Sequence, residues 1–511
     1  MQQESRVKKS LLNARVNLIF YFLTLALAFF SRKTFLDCLG AEFIGLTGTL
    51  GNILGFLNLA ESGVSAAIAV VLYAPLYEYN QQKIKEIVSV LGYLYHTIGK
   101  IILTGGVILA CFFPLIFPDS ELGMPIIYFT FVSFLGSSLI GYFINYKQVL
   151  LSADQRNYVV AAYSQSANVI KILLQMALAY YTGNCFIWVL VEFSFGILYS
   201  IILNWKIKKV YPWLETEIKK GKALCREYPD VMKYTKQLFV HQIGSVVYVQ
   251  VTPFLVYAFA SLQAVAYYGN YTLVTSKLKS LLGNFLGGTN ASVGNLIAEG
   301  DKDKILKVYW ELMSIRFLFV SVAVFAMYHL LPPFITLWLG KEYVMSQTLL
   351  ILVLISFALS IIRGVTDEFV QGNGLFSDIW APFVEAVILI VVAIIGGMLW
   401  GLEGTLLGSI VSTIIIIYIW KPYFLFNKGL QISIWKYWKE FGKYLLVVAF
   451  SFYATMKLLE NTPIKLEIHT SWTSWILYAI IIVALFATIV SIALFLTTQG
   501  TRDLCYRLIK R

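Results

Sequence analysis

The chain reads as a series of long apolar runs separated by short polar ones. The runs are continuous, not alternating, so they predict helices and not the strands of a membrane barrel. Helices about 20 residues long can cross ~30 Å of hydrocarbon with every backbone group bonded internally. The runs fall at 13–36, 44–74, 89–117, 125–146, 158–181, 185–204, 238–260, 264–297, 308–331, 348–370, 381–401, 404–424, 440–457 and 471–497. The pattern predicts an all-α polytopic membrane protein of about 14 transmembrane helices.

Two runs are too long. Ile44–Ala74 and Ala264–Ile297 would each exceed ~45 Å as straight helices, so they must tilt, bend or emerge from the bilayer. They are the second and eighth runs, and a shift of 221 residues superposes them without gaps. The same shift places Gly48 on Gly269, and Asn80, Lys83 and Ile84 on Asp301, Lys304 and Ile305. It also places Gly183 on Gly404, both expected in a tight outer turn. A shared offset of this kind predicts two six-helix lobes of equal orientation related by an axis along the membrane normal, with two extra C-terminal helices outside the repeat. The expected organisation is an N-lobe at 1–205, a basic cytoplasmic linker at 206–237, a C-lobe at 238–425, and spans 13–14 with a cytoplasmic tail at 426–511.

Composition agrees with the pattern. Charged residues make up 13% of the chain and the mean hydropathy is +0.73, where a soluble domain is about 25% charged. A net charge of +12 would suggest nucleic acid in a soluble protein. Here most of the 40 Lys and Arg residues fall on alternate loops, which predicts cytoplasmic termini and no nucleic-acid partner. The longest inner loop, 205–237, carries nine of them, either to recruit an anionic lipid or substrate or simply to anchor the topology. The basic N-terminus before the first run reads as a retained signal anchor. The largest outer loops, Pro332–Gln347 and Leu458–Thr470, are too short for a soluble catalytic domain. Five scattered cysteines form no CxxC, and no GxxxxGK[ST], HExxH or GxSxG occurs. No catalytic residue, metal or cofactor is expected, and the chain does not read as an enzyme.

The chemistry lies inside the runs. The second carries a small or polar stripe through Gly48, Gly51, Gly55, Asn58, Ser62 and Ser65 at steps of three and four residues. The eighth repeats it through Gly269, Thr272, Ser276, Ser280, Gly283, Gly287 and Asn290. Such a face packs closely on another helix or lines a water-filled cavity. Beside the stripes stand Glu61, Lys277 and Lys279, and Lys171 lies mid-span in the fifth run. A lysine at a span centre costs roughly 2.5–3.5 kcal/mol on insertion scales, so something should offset it. Arg32 and Lys33 lie near the outer end of the first run. Arg316 and Arg363 lie nearer the inner side, where they can snorkel, and Arg363 has Asp367 one turn away. Glu61, Glu192, Asp367 and Glu385 are candidate coupling carboxylates for an H+ or Na+ gradient, or counter-ions for the lysines.

Three segments carry a resemblance to a known family: "FLDCLGAEFIGLTGTLGNILGFLNLAESGVSAAIAVVLYAPLYEYNQQKIKEI", "VLLSADQRNYV" and "PFVEAVILIVVAIIGGMLWGLEGTLLGSIVST". They resemble the Wzx-type lipid-linked oligosaccharide flippases, in the superfamily that also holds the multidrug extruders and lipid II flippases. The resemblance spans roughly residues 10 to 425. It implies two six-helix lobes around a central cavity, working by alternating access in a bacterial cytoplasmic (inner) membrane. It implies transfer of undecaprenyl-pyrophosphate-linked oligosaccharide, an O-antigen, capsule or exopolysaccharide repeat unit, to the outer leaflet. A polysaccharide polymerase machinery would be a partner alongside membrane lipids. Arg32 matches a basic family position, while Lys33, Lys171, Lys277, Lys279 and Arg363 rest on the physical argument. The alternatives are a multidrug/cation antiporter of the same superfamily and a polytopic glycosyltransferase or polymerase.

Overall fold

The computed structural model describes residues 6–61, 63–118, 120–154, 156–286, 290–375, 377–461 and 467–509. Among the described residues there is no strand, and the helices follow the apolar runs. Span 1 is Arg6–Leu39, span 3 Gln81–Cys111, span 4 Met124–Phe143, span 5 Asn157–Thr182, span 6 Cys185–Val210 and span 7 Pro229–Phe259. Span 9 is Lys302–Trp338, span 10 Gln347–Gly372, span 13 Ile434–Asn461 and span 14 Trp472–Thr497. Nine described helices are each long and apolar enough to cross a bilayer, with three shorter apolar helices besides. With the broken and kinked helices resolved into their parts, the chain is a polytopic membrane protein of about 14 spans.

The overlong second run is not one helix. Ala41–Leu57 gives way to a 3₁₀ turn, Asn58–Glu61, and the chain restarts as Val64–Tyr77. Gly63 supplies the left-handed backbone between them, at φ 91°. In the eighth run the described residues form the helices Leu262–Leu286 and Asn290–Glu299, and 287–289 lie outside the described residues. Two elements related by the 221-residue shift start alike. The Asn80 side chain caps span 3 by accepting from the Lys83 amide at 3.0 Å. The Asp301 side chain caps span 9 by accepting from the Lys304 amide at 3.1 Å.

Spans 11 and 12 form a hairpin, 380–399 and 402–413, around Trp400 and Gly401. The expected turn glycine was Gly404, and that placement is corrected. Gly401 takes the left-handed conformation at φ 57°, whereas Gly404 lies on the following helix against Gly396. A Cβ on Gly404 would stand 1.9 Å from the Gly396 carbonyl oxygen, so glycine is needed there for close helix approach. The outer loop Pro332–Gln347 is also shorter than expected. Span 9 runs through Pro332 and Pro333 to Trp338, and only residues 339–346 join it to span 10.

The described chain packs as two compact units, residues 1–257 with 261–266, and residues 258–260 with 267–511. In the first unit the basic segment after span 6 is folded, not loose. It forms the short helix Gly221–Glu227 on the N-terminal half of span 3. The Glu217 amide donates to Ser89 Oγ at 3.0 Å, and the Tyr228 hydroxyl donates to Glu86 Oε2 at 2.6 Å. In the second unit spans 13 and 14 pack on span 9. Phe325 of span 9 stacks on Phe486 of span 14, with centroids 4.2 Å apart, and Trp310 stacks on Tyr444 of span 13 at 5.8 Å.

Candidate functional site

The break in span 2 is built around one carboxylate. Glu61 Oε2 accepts from the Tyr142 hydroxyl of span 4 at 2.9 Å. Glu61 Oε1 accepts from Ser65 at 2.9 Å and from the Tyr95 hydroxyl of span 3. Asn58 Oδ1 lies beside it and accepts from Tyr142 and Ser138, each at 3.0 Å. A continuous helix would bond these backbone groups along its own axis. The turn instead brings Asn58 and Glu61 together against two neighbouring spans. Among the described residues Glu61 has hydroxyl partners and no ion pair. Ser62 lies outside the described residues.

A second pair sits between spans 5 and 6. Lys171 Nζ lies 2.7 Å from Glu192 Oε1, and Gln175 donates to Glu192 Oε2 at 3.0 Å. Gln175 also donates to the Trp188 carbonyl at 3.1 Å. The two mid-span charges thus carry each other, which offsets the cost of burying either alone. Arg32 donates to the Ala266 carbonyl at 2.7 Å. Lys33 pairs with Asp37 at 3.3 Å, both half exposed.

In the second unit the charges form a larger group. Arg363 Nε lies 2.8 Å from Asp367 Oδ2, and Lys421 Nζ lies 3.0 Å from Asp367 Oδ1. Glu385 stands 3.9 Å from Arg363. Arg316, expected to snorkel, is buried: it pairs with Glu368 and donates to the Ile361 carbonyl at 2.9 Å. Span 9 packs against span 10 here, so the guanidinium has a carboxylate instead of water.

The basic stripe of span 8 behaves differently. Ser276, Lys279, Ser280 and Gly283 are all exposed, so their own unit leaves this polar face uncovered. Ser276 spends its hydroxyl on the Leu273 carbonyl at 3.0 Å. Lys277 is half-buried, and Lys279 stands within electrostatic reach of Arg363 while forming no ion pair among the described residues. The side chain of Asn290 lies outside the described residues.

Sequence reasoning missed Tyr95, Tyr142, Glu368 and Lys421. The tyrosines carry no distinguishing signal in a chain with 32 of them. Glu368 adjoins Asp367, so a charged pair one residue apart in a span was a legible cue. Lys421 reads as an ordinary inner flank of span 12. No group of three or more His, Cys, Asp or Glu among the described residues is placed to hold a metal ion.

No family model matches the chain, and no curated protein matches it by sequence. Solved structures do match. The lipid II flippase MurJ in an inward closed conformation aligns with a TM-score of 0.64 at 16% identity, covering 97% of this chain and 100% of that one. An inward-facing multidrug resistance MATE family transporter of the MOP superfamily aligns with a TM-score of 0.60 at 15% identity, covering 82% of this chain and 99% of that one. The chain has the membrane fold shared by these proteins, and the flippase matches it over nearly its whole length.

Proposed function

We propose that the chain is a flippase that moves undecaprenyl-pyrophosphate-linked oligosaccharide from the cytoplasmic to the outer leaflet of a bacterial inner membrane, with both termini cytoplasmic. The observation that carries this reading is the uncovered polar face of span 8, with Lys279 on it. Ser, Gly and Lys against hydrocarbon would forfeit apolar contact and strand a charge. They suit a water-filled passage, and a dianionic pyrophosphate with its sugars needs such a passage, since dragging it through hydrocarbon is prohibitive. The prenyl tail stays in lipid meanwhile.

In this reading the lobes 1–205 and 238–425 rock about the passage, linked by 206–237, and 426–511 is an appendage. Arg32, Lys277, Lys279 and Arg363 serve the anionic head, and Asn58, Ser276 and Ser280 replace its water. Lys33 and Lys171 are weaker members, because each already has a carboxylate partner. Glu61 is the first choice among the coupling carboxylates, since Glu192, Asp367 and Glu385 each face a cation. A polymerase is the expected consumer of the flipped unit, and flipping itself makes or breaks no covalent bond.

A multidrug/cation antiporter is the second reading, favoured by the similarity to the MATE transporter. The fuller coverage by the flippase speaks against it, because it takes in nearly all of the chain. The test is translocation of a labelled lipid-linked oligosaccharide in proteoliposomes, with and without an ion gradient. Lys277→Glu with Lys279→Glu should abolish it while insertion and folding persist. Unchanged translocation would overturn the roles given to these lysines. Cation-driven drug efflux without oligosaccharide transfer would establish the second reading.

A further inference from the structure

The first unit carries a groove that the transport reading does not use. It runs between spans 4 and 6, has a volume of about 460 Å³, and ends at the inner end of span 6. Its walls are apolar: Ile140 and Ile144 on one side, Ile197 and Ile201 on the other. Residues 197, 201, 205 and 208 step along one face of span 6, so the groove follows the helix from isoleucine, past Trp205, to Lys208. The polar groups of its floor are already satisfied. Ser200 and Asn204 both donate to Asn145 Oδ1, at 2.7 and 2.8 Å, and Asn204 donates also to the Ser200 carbonyl. The floor therefore asks nothing of a ligand, and what enters need only be apolar.

The mouth is different. Lys208 closes the groove, and Lys147 sits just beyond the end of span 4. Half-burial and the nearby Lys208 charge hold the Lys147 ammonium below the usual lysine range. Among the described residues neither lysine forms an ion pair. Lys208 ends the apolar groove and its charge reaches Lys147, so these like charges favour an anion near them. Trp205, exposed beside them with Lys209 over its ring at 5.4 Å, is the residue type that settles at the headgroup level.

We propose that this groove holds an anionic glycerophospholipid, one acyl chain between the isoleucines and its phosphate between Lys147 and Lys208. Apolar grooves with a basic end on this side of a membrane protein suit such lipids. The occupant is a resident lipid of the bilayer and not the transported one. The groove is built from residues of the first unit and the polar face of span 8 from residues of the second, so the two assignments rest on different side chains and stand or fall separately.

The full-length protein, purified in detergent, would be titrated with phosphatidylglycerol and with phosphatidylcholine, and bound lipid counted by native mass spectrometry. Retention of phosphatidylglycerol in preference to phosphatidylcholine is expected. Lys147→Ala with Lys208→Ala should weaken it roughly thirtyfold, from about one basic contact's worth of binding per lysine. Ile144→Trp with Ile201→Trp should expel the lipid with both cations intact. Lys219→Ala with Lys222→Ala, in the exposed linker, should leave binding unchanged. On the unaltered protein, a phosphatidylglycerol with a photoreactive acyl chain should label peptides holding 140–144 and 197–205. Equal retention of both lipids, undiminished binding by the lysine double variant, or labelling elsewhere would overturn the proposal. So would displacement by polyprenyl pyrophosphate, which would return the groove to the substrate.

Discussion

The Tyr142 hydroxyl lies 2.9 Å from Glu61 Oε2 and 3.0 Å from Asn58 Oδ1, so one side chain of span 4 holds both ends of the 3₁₀ turn in span 2. Tyr142→Phe removes the one hydroxyl proton shared between them, leaving Glu61 Oε2 short of a donor while Asn58 Oδ1 keeps Ser138. A hydrogen bond to a charged group is worth about 1.5–3 kcal/mol, so the loss should show as a clearly lower melting temperature in detergent. Ser138→Ala removes only a neutral contact to Asn58 and should cost about 0.5–1.5 kcal/mol. Equal effects from the two variants would mean that Tyr142 does not hold the turn.

Glu61 itself tests coupling. Gln keeps the shape but carries no charge. In proteoliposomes Glu61→Gln should leave binding of the lipid-linked oligosaccharide intact and make its translocation indifferent to an imposed ion gradient. Glu192→Gln should leave the gradient response as it was, because Glu192 is already committed to Lys171 at 2.7 Å. A gradient response that survives in the Glu61 variant and vanishes in the Glu192 variant would reverse the assignment.

The Lys171–Glu192 pair makes its own prediction. Removing one partner strands the other inside the first unit. Breaking a buried pair costs about 3–5 kcal/mol, whereas replacing both partners by apolar residues is often neutral. These side chains are partly exposed, so values at or below the low end of that range are expected. Lys171→Met should destabilise, and Lys171→Met with Glu192→Met should recover most of the loss. If the double variant is as unstable as the single, the pair is not the reason the lysine is tolerated.

What the sequence could reveal follows from which interactions leave a pattern. Apolar runs of bilayer length leave one, and they marked nearly every helix. Two overlong runs showed that each must tilt, bend or emerge from the bilayer, and the bend of span 2 lies within the Gly- and Asn-containing stripe. The shared offset marked Asn80 and Asp301 as equivalent positions, and the structure adds that both are helix caps. The partners of Glu61 were not legible. Tyr95 and Tyr142 lie more than thirty residues away in chains of aromatic residues, and only packing of spans 3 and 4 selects them. Lys279 and Lys171 looked alike in sequence, as mid-span lysines with no adjacent carboxylate. Their difference is tertiary, since one meets a carboxylate on the next span and the other faces out of its own unit.

The hairpin of spans 11 and 12 separates two glycines that sequence alone confused. Gly401→Ala puts a side chain on a left-handed residue with open space around it, which should cost roughly 1–2 kcal/mol. Gly404→Ala drives a Cβ into the Gly396 backbone and should be worse, forcing the two helices apart. Thermal melting of the two variants orders them. A Gly401 variant less stable than the Gly404 variant would mean that the turn, not the close approach, limits the hairpin.

The helix after span 14, Gln499–Ile509, lies along the N-terminal part of span 9. Gly500 permits the approach: a Cβ there would meet the Trp310 carbonyl oxygen at 2.5 Å, which is backbone and cannot step aside. Two ion pairs hold the rest, Arg507 to the buried Glu311 at 2.8 Å and Lys307 to Asp503 at 3.4 Å. Lys307 is half exposed, so its pair contributes little, whereas loss of Arg507 leaves Glu311 buried without its cation. Gly500→Leu should therefore lift this helix from span 9 and open Arg502 and Arg507 to trypsin. Lys307→Ala should leave digestion unchanged. The comparison of cleavage rates in sealed, inside-out vesicles also reports which side of the membrane the helix occupies. Faster cleavage of the Gly500 variant there, and not in right-side-out vesicles, is the outcome expected for a cytoplasmic C-terminus. Cleavage confined to right-side-out vesicles would invert the proposed topology, and unchanged rates in both would show that Gly500 does not govern the docking.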